Sequence, residues 1–373
     1  MHMFSFLKRE YKPLNRIEVS SAALHHNYTY LSKSSGLAIA PVLKSNAYGH
    51  GLGLVAKALD DVKAPFFCVD SIYEGYELLK HGIKTPILIM GYVDPQNLQG
   101  KRLPFSFAVS TKESLLAIAQ YQSHAGIHIF VDTGINREGF SMKELASIMV
   151  LLQNMPHLHV EGLMGHFAAS DKYTNPVTDQ QIKNFQKAQE LFSKARIPLK
   201  WIHHANSSGV LNYAKYKDKI GNVARTGIAL YGIDPENKNK DLKPALTFKT
   251  KLGQIKQIGK GEPVGYDFTF ITAKPMTIGI LPAGYNDGLE RRLSNKGLVT
   301  IRGKVCPIIG LVSMNITVID ISSVKDPKVG EDVVIYANAV SAQNTFWRMA
   351  KVCETIPYTM LVQLRGATKR ILV

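Results

Sequence analysis

The sequence reads as an α/β protein, an N-terminal (β/α)8 TIM-like barrel followed by a mostly β C-terminal domain. Three observations predict this. Between residue 38 and about residue 232, eight short apolar strands alternate with amphipathic helical stretches. That alternation stops near residue 245, and short β-branched runs separated by Gly, Asn, Asp and Pro take over. Strand–helix alternation calls for parallel strands, and eight such units suffice to close a barrel.

In order, the expected barrel strands are Ala38–Leu43, Pro65–Val69, Pro86–Met90, Phe105–Val109, Gly126–Val131, His159–Met164, Lys200–His204 and Asn222–Arg225. Each is a brief apolar run of the kind buried on both faces. Between them, Ser71–Lys80, Lys112–Tyr121 and Ser141–Asn154 have helical spacing. In the stretch Thr178–Ala195, Ile182, Phe185, Ala188 and Phe192 share one face, and Thr178 with Gln181 reads as a capping box. The second domain contributes Met276–Leu281, Leu298–Arg302, Val305–Ile309, Ile316–Ile321 and Asp332–Tyr336, with one helix around Ala342–Cys353. The expected division is an N-terminal segment at 1–13 packing with the C-terminal domain, a barrel over 14–244 and a β domain over 245–373.

The 373 residues carry 45 Lys and Arg against 29 Asp and Glu, a net charge of +16. Such an excess raises the question of a nucleic-acid partner. Its densest stretches, Lys215 to Lys219 and Lys249 to Lys260, have few aromatics to stack on bases and read as solvated faces. No nucleic acid is expected. No apolar run reaches membrane-spanning length, and Lys8, Arg9 and Glu10 interrupt the apolar start, so neither an export signal nor a membrane partner is expected. Cys68, Cys306 and Cys353 are far apart, which fits a reducing cytoplasm and no zinc site.

Barrel chemistry collects at the C-terminal strand ends. After the first strand come Lys44 and Tyr48, within Pro41-Val-Leu-Lys-Ser-Asn-Ala-Tyr-Gly-His-Gly51. A strand-end amine can form a Schiff base with a carbonyl cofactor, and the flanking glycines let backbone N–H groups approach an anion. The fifth strand leads to Asp132-Thr-Gly-Ile-Asn-Arg137, the sixth to His166, the seventh to His204-Ala-Asn206-Ser207-Ser208 and the eighth to Arg225-Thr-Gly227-Ile228. One rim thus gathers an amine, two arginines, histidines and a serine-rich anion cradle. No carboxylate cluster for a divalent metal is evident. His203 and His204, adjacent on a strand, point to opposite faces and cannot chelate together.

These blocks resemble the alanine racemase family. Beside the Lys44 motif, the likeness runs through Asp132-Thr-Gly…Arg137, Glu161-Gly-Leu-Met-Gly-His-Phe-Ala168, His204-Ala-Asn-Ser207, Arg225-Thr-Gly-Ile-Ala-Leu-Tyr-Gly232, Gly284-Tyr-Asn-Asp-Gly288, Val312-Ser-Met-Asn315 and Pro357-Tyr358. The resemblance implies pyridoxal 5'-phosphate carried on Lys44, with Tyr48, Ser207, Gly227, Ile228 and Tyr358 holding its phosphate and Asn206 and His166 beside it. It implies Arg225 at the pyridine nitrogen and Arg137 at the cofactor's phenolic oxygen and the substrate carboxylate. Tyr285 and Met314 would reach the site from the partner subunit of a homodimer. Lys44 and Tyr285 would then move protons on opposite faces of a small amino acid, interconverting L- and D-alanine. A phenol's ordinary pKa of about 10 makes it a poor base at neutral pH, so the site must place positive charge beside it, and His166 hydrogen-bonded towards Arg225 is the expected source.

The match departs at Phe130, where many relatives carry a carbamylated lysine that steadies the arginine corresponding to Arg137. Glu138 stands where leucine is common, Asn315 where Asp is usual and Thr226 where Pro is usual. Alternatives are a racemase of broader specificity, a barrel-type decarboxylase, or a dinucleotide-dependent oxidoreductase reading Gly51-Leu-Gly-Leu-Val-Ala56 with Asp70 as its fingerprint. The first is disfavoured by the lack of an export signal, the second by Arg225 in place of an acid, and the third by the six residues between Lys44 and the glycine pair.

Overall fold

The computed structural model describes residues 12–172, 175–236 and 238–373. Eight barrel strands occur at the expected places: β2 (Ala38–Pro41), β3 (Phe67–Val69), β4 (Ile87–Ile89), β5 (Ser106–Val109), β6 (Gly126–Phe130), β7 (His159–Met164), β8 (Trp201–His203) and β9 (Val223–Thr226). Strands β3 to β8 form one parallel sheet in sequence order, and β9 pairs parallel with β2. A parallel bridge Val42↔Cys68 joins β2 to β3, and Arg225 N donates to Ala205 O across β8 and β9 at 3.0 Å. The curled sheet therefore meets itself. Most of its strand residues are apolar and buried, so the strands pack on side chains within the barrel and on helices outside.

Helix Pro176–Lys194 buries Ile182, Phe185, Ala188 and Phe192, the expected face. Its cap differs from expectation. Asn175 accepts from Val177 N at 2.9 Å, with Pro176 at the first helical position. Thr178 and Gln181 lie inside the helix, where Gln181 Nε2 donates to Thr133 Oγ1 and His166 O and its Oε1 accepts from Ala168 N. Both are buried, so the pair ties the helix to two barrel loops.

The first described strand, β1 (Arg16–Val19), falls at the start of the expected 14–244 barrel segment but pairs elsewhere. It lies antiparallel to Leu246–Lys251 and parallel to Lys369–Leu372 in the six-stranded sheet of the second domain. Its alternating burial suits that half-exposed sheet: Ile17 and Val19 point into the core, while Arg16 reaches Asp332 at 2.6 Å. Of the expected N-terminal segment, residues 1–11 lie outside the described residues. A second, three-stranded sheet joins Gln254–Ile258, Met276–Leu281 and Thr317–Asp320. Among the described residues no helix is long and apolar enough to cross a membrane.

Candidate active site

A cavity of about 540 Å³ opens at the C-terminal ends of the barrel strands, within the size range of small-ligand sites. Lys44, Tyr48, Arg137, His166, Asn206, Ser207, Arg225, Gly227, Ile228 and Tyr358 all line it. Ten of the twelve expected site residues thus meet in one place. Tyr285 and Met314 do not. They lie together on the second domain, where Tyr285 N donates to Ser313 O and Asn286 N to Met314 O, and they are 42% and 56% exposed.

The backbone that presents Lys44 is unusual. Ser45, Asn46, Ala47 and Tyr48 all have φ between 51° and 55°, a left-handed helical turn built from ordinary L-residues. Left-handed helix costs roughly 1–2 kcal/mol per such residue, so the surroundings must impose it. Asn46 Oδ1 accepts from Leu52 N, Ser45 N donates to Glu74 Oε1, and Ala47 N to Leu43 O. Lys44 Nζ is left 3.4 Å from Asp70 Oδ1. Asp70, a component of the alternative dinucleotide fingerprint, is thereby a partner of the amine.

The glycines of this motif act differently from the anion cradle expected of them. Gly49, at φ 78°, has Leu361 O only 2.0 Å from where a Cβ would stand. It lets the turn press against helix Pro357–Val362, which carries Tyr358 from the second domain into the cavity. Gly227 likewise admits a close neighbour. A Cβ there would meet Tyr48 Oη at 2.3 Å. Tyr48 and Tyr358 rings lie 6.1 Å apart, and neither hydroxyl has a protein partner among the described residues. Burial raises both phenols, that of Tyr48 to about 12, so they remain protonated donors. Ser207 Oγ accepts from Gly227 N and Ala229 N, fixing the loop below them. Asn206 is engaged as a cap, accepting from Gly209 N and Ser170 Oγ.

Arg225 is 3% exposed and held rigidly. Its Nη1 donates to His203 O and to His203 Nδ1, at 2.6 and 2.7 Å. Its Nη2 donates to Gly165 O at 2.6 Å and faces His166 Nδ1 at 3.3 Å. A guanidinium can only donate, which settles the imidazoles behind it. His203 Nδ1 accepts, so its Nε2 carries the hydrogen towards His128 Nδ1 at 2.6 Å. His128 Nε2 then points its hydrogen at Glu161 Oε2, 3.6 Å away, which also accepts from Ser106 Oγ. A polarised chain thus runs down the barrel axis from Arg225 to a carboxylate. Hydrogen bonding to His128 holds Glu161 below its usual range, so that end is anionic. Burial lowers Arg225 to about 10, leaving it a cation at neutral pH.

His166 is no cation. Burial, and then the Arg225 charge, lowers it to about 3. His166 therefore does not supply the positive field expected of it; the fixed charge beside it is that of Arg225. Sequence reading missed the axial chain. Its signal was His128 and Glu161 within otherwise apolar strands, at positions whose alternation turns them inward. As expected, His204 turns away from His203, stacking on Phe185 at 4.4 Å and bonding Thr133 Oγ1.

The family models for the alanine racemase N-terminal and C-terminal domains match residues 19–235 and 245–372. The chain belongs to the alanine racemase family. It is 34% identical over 352 residues to the alanine racemase of Syntrophobacter fumaroxidans, covering 92% of this chain and 93% of that one. It is also 34% identical over 370 residues to alanine racemase 2 of Caldanaerobacter subterraneus, covering 95% and 94%. Among solved structures, the alanine racemase of Streptomyces lavendulae superposes with a TM-score of 0.89 at 25% identity, over 98% of each chain. That of Bartonella henselae, described with covalently bound pyridoxal phosphate, gives 0.83 at 25% identity over 97% of this chain and 100% of that chain. The alanine racemase architecture, a curled parallel sheet followed by a mostly β domain, is the one described above.

Proposed function

We propose that this chain interconverts L- and D-alanine with pyridoxal 5'-phosphate on Lys44, as a cytoplasmic homodimer whose partner copy supplies Tyr285 and Met314. The observation that carries the reading is the company Lys44 keeps in one cavity: two phenols without a protein partner among the described residues, a buried arginine and a neutral histidine. When bound, the cofactor supplies a conjugated ring that takes up the electron pair left as the Cα proton departs. The phenols of Tyr48 and Tyr358, kept protonated by burial, suit an anionic phosphate above the Gly227–Ile228 turn. Arg225 holds a fixed positive charge that disfavours a proton on a neighbouring ring nitrogen, which argues against the decarboxylase alternative.

Lys44 Nζ takes or returns the substrate proton on one face, and Tyr285 Oη does so on the other. Arg137 receives the carboxylate. Three buried, unpaired cysteines suit the cytoplasm. Reducing the holoenzyme with borohydride and mapping its tryptic peptides tests the assignment: the label belongs on Lys44, and a label elsewhere or nowhere overturns it. L-alanine must also be converted in preference to a panel of other L-amino acids.

The cradle makes its own test. Gly227→Ala forces a methyl group against Tyr48 Oη, whose ring is confined by Tyr231 at 5.2 Å and by Tyr358. A steric loss of about 3 kcal/mol is expected, a roughly hundredfold weaker cofactor affinity, with circular dichroism unchanged. Absorbance titration of the apoenzyme reads it, and native affinity in the variant would remove Gly227 from the phosphate site.

A further inference from the structure

The Arg137 guanidinium is held from one side only. Strand β6 ends at Phe130, 2% exposed and, like Arg137, on the cavity lining, where it supplies no counter-charge. The carboxylate comes from the next residue in the chain. Arg137 Nε and Nη2 lie 3.1 and 3.0 Å from Glu138 Oε1. Nη1 has no protein partner among the described residues. A guanidinium offers two edges to carboxylates, and here the Nε side is taken while the Nη1 end is left open at the cavity.

The loop that carries the pair is closed tightly. Asp132 Oδ1 accepts from the backbone N of Gly134, Ile135 and Asn136. Phe140 N returns to Phe130 O at 2.8 Å, and Asp132 N to Phe140 O at 2.9 Å. The chain is thus pinned on both sides of 137 and 138, and Glu138 engages what remains free, the long arginine side chain.

We infer that Glu138 is a positioning residue, clamping the Nε side of Arg137 so that its Nη1 end is presented to the substrate carboxylate. The inference rests on the racemase reading of the cavity. Two effects of the Glu138 charge oppose each other. It orders Arg137, and it repels a second carboxylate across the guanidinium. Both side chains are more than a third exposed, so water screens the longer-range repulsion, while the direct contact and the ordering of four torsions are local. Ordering wins. An exposed pair of adjacent residues adds little to stability, so the clamp acts on substrate binding and not on folding.

The test uses the holoenzyme with Glu138→Gln, which keeps an acceptor oxygen, and Glu138→Leu, which keeps none. The KM for L-alanine is expected to rise about threefold in Glu138→Gln and about tenfold in Glu138→Leu, with kcat within about twofold of native. Calorimetric affinity for propionate, a carboxylate without the amine, falls in the same order, and that for propionamide does not change. A KM and propionate affinity unchanged or improved in Glu138→Leu overturn the clamp. An enzyme that fails to racemise alanine overturns the functional reading instead, and the propionate series still judges Glu138.

Discussion

Mixing Lys44→Ala chains with Tyr285→Phe chains is expected to restore activity that neither variant has alone. Each single variant loses an acid–base group and should retain about a thousandth of native turnover or less. If Tyr285 works in its partner's cavity, a mixed dimer has one site with both residues and one with neither. Purified free of the parent dimers, it has one intact site of two and returns about half of native activity per dimer. The geometry motivates this. Tyr285 does not line the cavity of its own chain and is 42% exposed beside Met314. The chain's own candidates for a second base are unsuitable: His166 is lowered to about 3 and binds protons weakly, while Tyr48 is raised to about 12 and Tyr358 is raised too. Asp70 stands beside Lys44, Asp171 accepts from Ser208 Oγ, and Glu138 is occupied by Arg137. Co-expression of differently tagged chains, purification through both tags and a turnover assay decide the matter. Activity no greater than the sum of the parents would place Tyr285 outside the shared site.

The barrel was legible because its strands are buried on both faces and so appear as unbroken apolar runs, each ended by polar residues. Strand Leu246–Lys251 was harder to see. Lys249 and Lys251 break its apolar pattern, yet they face Glu18 and Asp332 across the sheet at 2.6 and 2.7 Å. Only a folded sheet brings those charges together. Helix Pro357–Val362 was missed because it is only six residues long, too short for a helical period to show. The left-handed turn at 45–48 had no local signal at all: Ser, Asn, Ala and Tyr are held there by Glu74 and Leu52, residues outside the turn. Ten site residues were readable since each follows a strand or carries a motif. The clamp by Glu138 was visible as an unexpected charge but not as a contact, because side-chain reach is not written in spacing.

Acid should unfold this protein far more readily than its surface charge suggests. His50 is lowered to about 4 and His166 to about 3, and His203 and His204 lie well below the ordinary value. Burial is the main cause in each, and the Arg225 cation adds to it for the last three. In the unfolded chain these imidazoles titrate near 6.5, so below that pH the unfolded state binds protons that the folded state refuses. Their neutral, buried form is therefore compatible with full stability above about pH 6.5 and costs stability as pH falls towards the folded values. With four such groups, the loss near pH 5 is about 5 kcal/mol per pH unit, against a total stability of about 5–15 kcal/mol for a typical domain. Carboxylates held low by ion pairs, Asp332 among them, take up protons only at lower pH and do not explain a loss in this window. Guanidinium titrations at pH 7, 6 and 5, at fixed cofactor and protein concentration, should show the steepest fall between the last two. Calorimetry in buffers of different ionisation enthalpy should find at least four protons taken up on unfolding at pH 5, with a share from His128, which burial also lowers, and almost none at pH 8. An uptake below about one at pH 5 would mean that these imidazoles are already charged in the folded protein, and the hydrogen-bond directions along the barrel axis, which require His203 and His128 to be neutral, would fall with it.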